Sequence, residues 1–431
     1  MVVAAVVAVA VAAAGVAAAA SLEPTRVLLG LVLAAVAVVC LVRIDAAILL
    51  LVASLPLEST LSISANPQLT VVKVAGALCL LSWVVSVAVR GRRLTFDASH
   101  AVILLLLALA LVSTLEAASL QDALVRTLRY ASFASLYLVV SQQVGDHVLQ
   151  RRIVWVLSLA ASASAVVGLH NFLTGVTTLA RPVDADPNDF AYVLAATLPL
   201  TLWLLGERGL LRRLLVVAMA GVLGAGILLA YSRGALVGLG AGLLWQLVGE
   251  RRHVRVVLLA ALLGGGLTLG LFLSNQDRLL NALTAKGVVA ERNISERLDA
   301  WDAAVRLAVQ HPLLGVGPGN YQFASDRVLD RPPSDVNPTV VHDAYLDVAA
   351  ELGITGLLLF VGYLLLTFSR LSVSVRTGRG PPGLASAVRT AMVVAMAATI
   401  TLSEQYYAPL WLLGALGACF WHERRHGLTV R

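Results

Sequence analysis

Charge is scarce in this sequence of 431 residues. Only 13% of it is Asp, Glu, Lys or Arg, against 59% hydrophobic, where a water-soluble domain carries about 25% and about 45–50%. That shortage excludes a soluble enzyme and a DNA-binding module, so no nucleic-acid partner is expected. Cysteine is as sparse: Cys40, Cys79 and Cys419 sit in apolar stretches without CxxC or Cys/His spacing, which excludes a disulfide framework and a zinc site. Lysine is nearly absent, with Lys73 and Lys286 alone among 32 basic residues, and the bias to Ala, Val, Leu and Gly is that of a GC-rich bacterial genome. No Lys or Arg precedes Arg26, so Met1–Ala20 lacks the positive start of a cleavable signal and reads as a first membrane span. What fills the chain is a series of apolar runs of roughly 15 to 20 residues, the length a helix needs to cross a bilayer, and not the alternating ten-residue strands of a barrel.

These runs lie near 2–20, 27–42, 45–57, 71–89, 98–115, 123–143, 153–173, 189–206, 214–231, 234–249, 256–273, 353–371, 385–402 and 408–421. The third is short for a span, and the expectation is an all-α polytopic membrane protein of about 12–14 transmembrane helices. Arginines gather at Arg90–Arg93, Arg151–Arg152, Arg208 with Arg212–Arg213, Arg251–Arg255, Arg376 with Arg379, and Arg424–Arg425. Every second loop is therefore basic and is expected in the cytoplasm together with the C-terminus. Three parts follow: an N-terminal bundle over 1–273, one long extracytoplasmic loop over 274–341, and C-terminal helices with a short tail over 342–431. Inside the loop, Ser295 can cap a helix reaching about Gln310, with Leu298, Trp301, Val305 and Ala308 on one face. Such a lateral amphipathic helix is suited to the membrane surface.

Positive charge on the outer side runs against the orientation rule and needs another reason. Arg181 opens Arg181-Pro-Val-Asp184-Ala-Asp186-Pro-Asn188-Asp189; Arg233 is squeezed between two spans in Tyr231-Ser232-Arg233-Gly234; Arg297 lies one turn before Trp301; and His342 precedes Asp343. Singly, each has a structural reading, such as an arginine snorkelling to lipid phosphate or a solvated histidine. Together they suit one chemistry. Three guanidinium forks can grip a diphosphate through bidentate bonds, and a neutral imidazole can take a proton from an attacking hydroxyl. That pairing describes glycosyl transfer from a lipid diphosphate, with the arginines neutralising charge on the leaving group. Asp184, Asp186 and Asp189 lie close enough to Arg181 to keep a metal ion as an option. The run Gly315-Val-Gly317-Pro-Gly319-Asn-Tyr321 follows no strand and does not have dinucleotide-loop spacing.

On these residues, and on His311-Pro312 before the glycine run with Tyr345, Glu351, Gly353 and Gly356 after His342, the sequence resembles the O-antigen ligase and polysaccharide polymerase superfamily of bacterial membrane glycosyltransferases. The motifs cover roughly the second half of the chain, in order. The resemblance implies a fold like that of C-type glycosyltransferases, a polyprenyl-diphosphate-linked glycan donor, and a lipid, glycan or protein acceptor. It also implies an inverting transfer without metal or cofactor, in the bacterial cytoplasmic membrane, with the site on the extracytoplasmic face. Carried onto this sequence, His342 is the base, Arg181, Arg233 and Arg297 bind the diphosphate, and Asn188, Trp301, Gly317, Gly319, Tyr321, Tyr345 and Glu351 support them. The family usually has Asn after the histidine. Asp343 stands there instead, either raising and orienting the histidine or acting as the base itself. Ligase and polymerase share these residues. A lipid-linked glycan flippase is the competing class, expected to place charge at mid-membrane and to repeat its halves, whereas here Arg126 and Arg129 are the main charges within spans.

Overall fold

The computed structural model describes residues 24–58, 70–90, 94–249, 265–266, 268–270, 273, 296–329 and 340–422. The expected span at 2–20, most of that at 256–273, Ser295 and the basic tail after 422 lie outside these. Every regular element described is a helix, and seven are long and apolar enough to cross a membrane, with four shorter apolar helices beside them. The chain is thus a multi-pass helical membrane protein. In order the helices are α1 (Pro24–Val42), α2 (Ile44–Ser54), α3 (Val71–Arg90), α4 (Ala98–Ser113), α5 (Leu120–Gln143), α6 (His147–Thr174), α7 (Pro187–Trp203), α8 (Leu210–Leu229) and α9 (Arg233–Gly249). The lateral helix α10 (296–310) follows, then α11 (Tyr321–Val328), α12 (Ala344–Arg376), α13 (Leu384–Ala398) and α14 (Ala408–His422). The short third segment of the sequence is α2, whose 11 residues rise only about 16 Å at 1.5 Å each, too little to span alone.

Local chemistry sets the helix starts. Asp97, Ser119, Asp146, Asp186 and Asp343 stand at N-caps, each side chain accepting backbone N–H groups of the first turn, which satisfies donors the helix cannot. At the far end of α6, Gly175 takes the left-handed cap conformation. The main core joins α1–α8 to α12–α14, centred on Tyr130, Tyr137, Tyr363 and Trp411, all fully buried. Tyr363 and Trp411 stack with ring centroids 5.2 Å apart. α14 is buried along its whole length from Pro409 to Phe420 and so forms the inner pillar of the bundle. Small residues let α9 approach α13: a Cβ at Gly238 would lie 2.5 Å from the Val394 carbonyl oxygen.

α12 is interrupted at Gly353, whose φ of 72° and ψ of −179° are not helical. From 354 to 376 the helix rises about 34 Å, enough to cross the hydrocarbon, so the break falls at one boundary of the span. Irregular backbone at that depth must be satisfied by protein, and the glycine-rich run does this. Val316 N–H donates to Ala350 O at 3.0 Å, Gly317 N–H to Glu351 O at 3.0 Å, and Ile354 N–H to Pro312 O at 2.8 Å. Ser113 of α4 adds a bond to Glu351 O at 3.1 Å. A Cβ on Gly315, which has φ of 66°, would fall inside the Glu351 backbone. Gly315→Ala is therefore expected to cost about 3 kcal/mol or more, from conformational strain plus overpacking, seen as a lowered unfolding temperature in detergent. An unchanged transition would contradict this docking.

The helix expected to reach about Gln310 is described over 296–310. Ala300, Ala303, Ala304, Leu307 and Ala308 are buried, whereas Leu298 and Val305 are 58% and 48% exposed. Small residues turn inward because α10 lies close against the loop and α12, and the bulky aliphatic side chains are left facing outward.

At the opposite end of the bundle, Asp97 ties three elements together. His100 Nδ1 lies 2.9 Å from its carboxylate, Arg370 of α12 donates at 2.8 Å, and His422 Nε2 of α14 lies at 2.8 Å. Burial pushes the Asp97 carboxyl up, but the bonds to His100 and His422 and the Arg370 charge outweigh it and hold the group well below its usual range. Its stabilisation is present above about pH 3.9 and is lost only as pH falls toward that depressed value. Asp97→Ala strands Arg370 in a buried site and is expected to cost about 3–5 kcal/mol at neutral pH, read from thermal unfolding. A loss below 1 kcal/mol would mean that water replaces the carboxylate there.

Candidate active site

The site is built at the end of the bundle where α7, α9 and α12 begin. Arg181 shapes the first wall, its NH1 donating to Val183 O at 2.7 Å and to Ala185 O at 2.6 Å. The turn so closed presents Asp186, which accepts from Asn188 N–H at 2.7 Å and from Asp189 N–H and starts α7 behind Pro187. Asn188 enters through its backbone in this cap. Asn171 of α6 holds Arg181 O at 3.2 Å, and Ala180 N–H donates to Leu229 O at 3.1 Å, which ties the loop to the end of α8. There Tyr231 adopts φ of 52°, a left-handed conformation costly for an aromatic residue. It turns the chain within two residues so that Arg233 opens α9 with an exposed side chain. Gly234 is required because Leu402 and Thr401 occupy the space a Cβ would need.

α10 forms the second wall. Arg297 is half-buried on it, and burial, followed by the like charge of Arg233, lowers its affinity for the proton. The two guanidinium groups are therefore near enough for one charge to act on the other. His342 feels the same charges: burial first, then Arg297, pulls its pKa below the ordinary value, while Asp186 pulls it back up. Arg233, Arg297, His342 and Asp186 thus share one electrostatic neighbourhood, although they come from four separate stretches of chain. Arg181 differs in that its NH1 is committed to its own turn.

His342 has φ of 53°, and such strain in a bulky residue persists only where its surroundings over-determine it. Trp301 Nε1–H donates to Val341 O at 3.0 Å, and Ala344 N–H donates to Thr399 O at 2.9 Å. Asp343 caps α12, its Oδ1 accepting from Tyr345 N–H at 2.9 Å and Leu346 N–H at 3.0 Å. Burial raises the Asp343 carboxyl while these two bonds lower it. His342 is lowered, and the carboxylate that acts against that shift is Asp186. Tyr345 directs its hydroxyl to Met396 O at 3.0 Å. Gly317 and Gly319, with φ of 93° and 70°, pack against Ala117 and Arg126. Tyr321 hydroxyl donates to Ala300 O at 2.8 Å, holding α10 in place. These residues support the walls and do not line the charged centre.

Glu351 leads to a network that sequence reasoning left out. Tyr406 hydroxyl donates to Glu351 and Tyr407 hydroxyl to Asp189, while Gln405 Nε2 donates to Asp347 at 2.7 Å. Arg126 and Arg129 of α5 lie over the Tyr406 and Tyr407 rings at 5.1 and 4.9 Å. Burial, then the Asp189 charge, pushes the Glu404 carboxyl well above its ordinary value. Four carboxyl groups and two arginines thus buttress the site from below, in a setting where unpaired charge is expensive. The available signal was the pair Arg126 and Arg129 inside a span, together with the polar run Ser403-Glu404-Gln405-Tyr406-Tyr407 between two apolar helices.

The fold is that of a multi-pass helical membrane protein, with the charges of Arg233 and Arg297 and the strained backbone of His342 gathered where α7, α9 and α12 begin. The family model described as O-Antigen ligase matches residues 215–361, a stretch that holds Arg233, Arg297, Trp301, the glycine run, His342 and Glu351 but not Arg181 or Asn188. The chain is also 28% identical over 293 residues to an O-antigen ligase of Pseudomonas aeruginosa, covering 64% of this chain and 66% of that protein, just short of two thirds. Both matches are to O-antigen ligases, the family that the sequence motifs resemble.

Proposed function

We propose that the chain is a membrane glycosyltransferase that moves a glycan from a polyprenyl-diphosphate carrier to the hydroxyl of a lipid, glycan or protein acceptor. The observation that carries this reading is the shared neighbourhood of Arg233, Arg297 and His342 within the matched stretch. The acceptor oxygen attacks the anomeric carbon as its proton passes to His342. The bond from that carbon to the diphosphate oxygen breaks on the opposite face, inverting the centre, and the electron pair leaves with the diphosphate. Arg233 and Arg297 neutralise this developing charge in place of a metal, and Arg181 shapes the loop beside them. A lowered histidine pKa keeps the imidazole neutral and able to accept a proton at physiological pH. The site lies at the end of the bundle away from the arginine-rich turns at Arg151, Arg212 and Arg376, so it faces outward from the bacterial cytoplasmic membrane, with the C-terminus inside.

The test is incubation of the purified chain with a polyprenyl-diphosphate oligosaccharide and a hydroxyl-bearing lipid acceptor in EDTA. Expected are release of polyprenyl diphosphate and a new glycosidic bond. Movement of donor across liposomes without bond formation would establish a flippase instead, and activity that requires added divalent ion would overturn the metal-free grip.

A further inference from the structure

Trp301 and His342 belong to different elements and meet through the backbone. The indole N–H of Trp301 reaches Val341 O at 3.0 Å, and Val341 is buried. The next residue is the one with φ of 53°, a region that bulky side chains avoid. On the C-terminal side the chain is fixed by Ala344 N–H on Thr399 O and by the Asp343 cap. Of these fastenings, only the Trp301 bond comes from α10, the helix that carries Arg297 one turn earlier. The Trp301 ring packs in a cluster with Leu307, Tyr321 and Val341, so the indole cannot turn away without unpacking that wall.

We propose that Trp301 is a positioning residue: its indole N–H holds the Val341 carbonyl so that His342 keeps its left-handed backbone and faces Arg297. Because Trp301 and Arg297 ride on one rigid helix, seating an anionic group on Arg297 and aiming the histidine become a single event. The kinetic part of this inference rests on the transferase reading, and the geometric part does not. A ring that only fills space would need its area and not its N–H.

The experiment compares Trp301→Phe, which keeps the aromatic ring and removes the donor, with Trp301→His, which restores a ring N–H, in the full chain in nanodiscs. Two quantities are read: transfer kinetics, and the titration of His342 by carbon-13 histidine NMR, assigned from the resonance missing in His342→Asn. In Trp301→Phe, kcat is expected to fall on the order of 10²-fold, the effect of a misplaced reacting group, with KM for the donor near wild type. The imidazole, released from its place beside Arg297, is expected to titrate closer to about 6.5, and Trp301→His recovers part of both. Wild-type kcat and titration in Trp301→Phe would overturn the proposal. So would equal losses in both variants accompanied by equal falls in unfolding temperature, the mark of simple packing. If wild type forms no glycosidic bond yet the titration shifts as described, the transferase reading fails and the positioning role stands.

Discussion

Replacing His342 with Ala is expected to lower glycan transfer by about 10²–10⁴-fold, the usual contribution of a positioned general base, while donor affinity stays near wild type. The reason is a division of labour within the site. His342 is partly buried at the start of α12 and carries no fixed charge at neutral pH, since burial and Arg297 both oppose its protonation. It therefore offers the diphosphate little and the acceptor hydroxyl a proton-accepting nitrogen. The pH profile follows in sign. A base works deprotonated, so turnover rises with pH and reaches half its plateau below about pH 6.5, the ordinary histidine value. Asp186→Asn removes the one group that pulls the pKa up and is expected to move this limb further toward acid. A limb at or above pH 7, or a His342→Ala enzyme with wild-type turnover, would transfer the role of base to another group, and Asp343 would be the next to substitute.

Arg297→Ala is expected to lower kcat by about 10²–10³-fold, as when one charge-stabilising donor is removed from a preorganised site, and to weaken donor binding as well. After burial, the like charge of Arg233 lowers the proton affinity of Arg297, and an anion seated between the two would offset that unfavourable interaction. Inorganic diphosphate is therefore expected to raise the unfolding temperature of the wild type by mass action on the folded state, and to do so less in either alanine variant. Arg297→Lys keeps the charge and loses the planar fork, and so falls between wild type and Ala. Equal donor affinity in wild type and both arginine variants would contradict the grip.

The sequence made much of this legible because a bilayer imposes a length rule that hydropathy reads directly. The run at 98–115 became α4 (Ala98–Ser113), that at 214–231 became α8 (Leu210–Leu229), and that at 408–421 became α14 (Ala408–His422). Arg233, Arg297 and His342 stood out because positive charge in segments expected to face outward runs against the orientation rule. Less legible was whatever depends on long-range contact. Periodicity grouped Leu298, Trp301, Val305 and Ala308 on one face of α10, but could not show that Ala300, Ala303, Ala304 and Leu307 make its buried side. Asp343 read as chemistry by its place beside the histidine, whereas its two backbone bonds show that it starts a helix. The network of Asp189, Asp347, Glu351, Glu404, Tyr406 and Tyr407 draws on three distant stretches, and only their meeting in the fold joins them. The glycine run, which reads as a loop motif, is the partner of the break at Gly353, a pairing that no local pattern contains.

The most direct test of the account measures donor binding and single-turnover transfer side by side in wild type, His342→Ala and Arg297→Ala, using one synthetic polyprenyl-diphosphate oligosaccharide in EDTA. The account predicts that wild type binds and transfers, that the histidine variant binds without transferring, and that the arginine variant loses binding as well as transfer. A histidine variant that loses donor affinity while its bound fraction still turns over at the wild-type rate would contradict it.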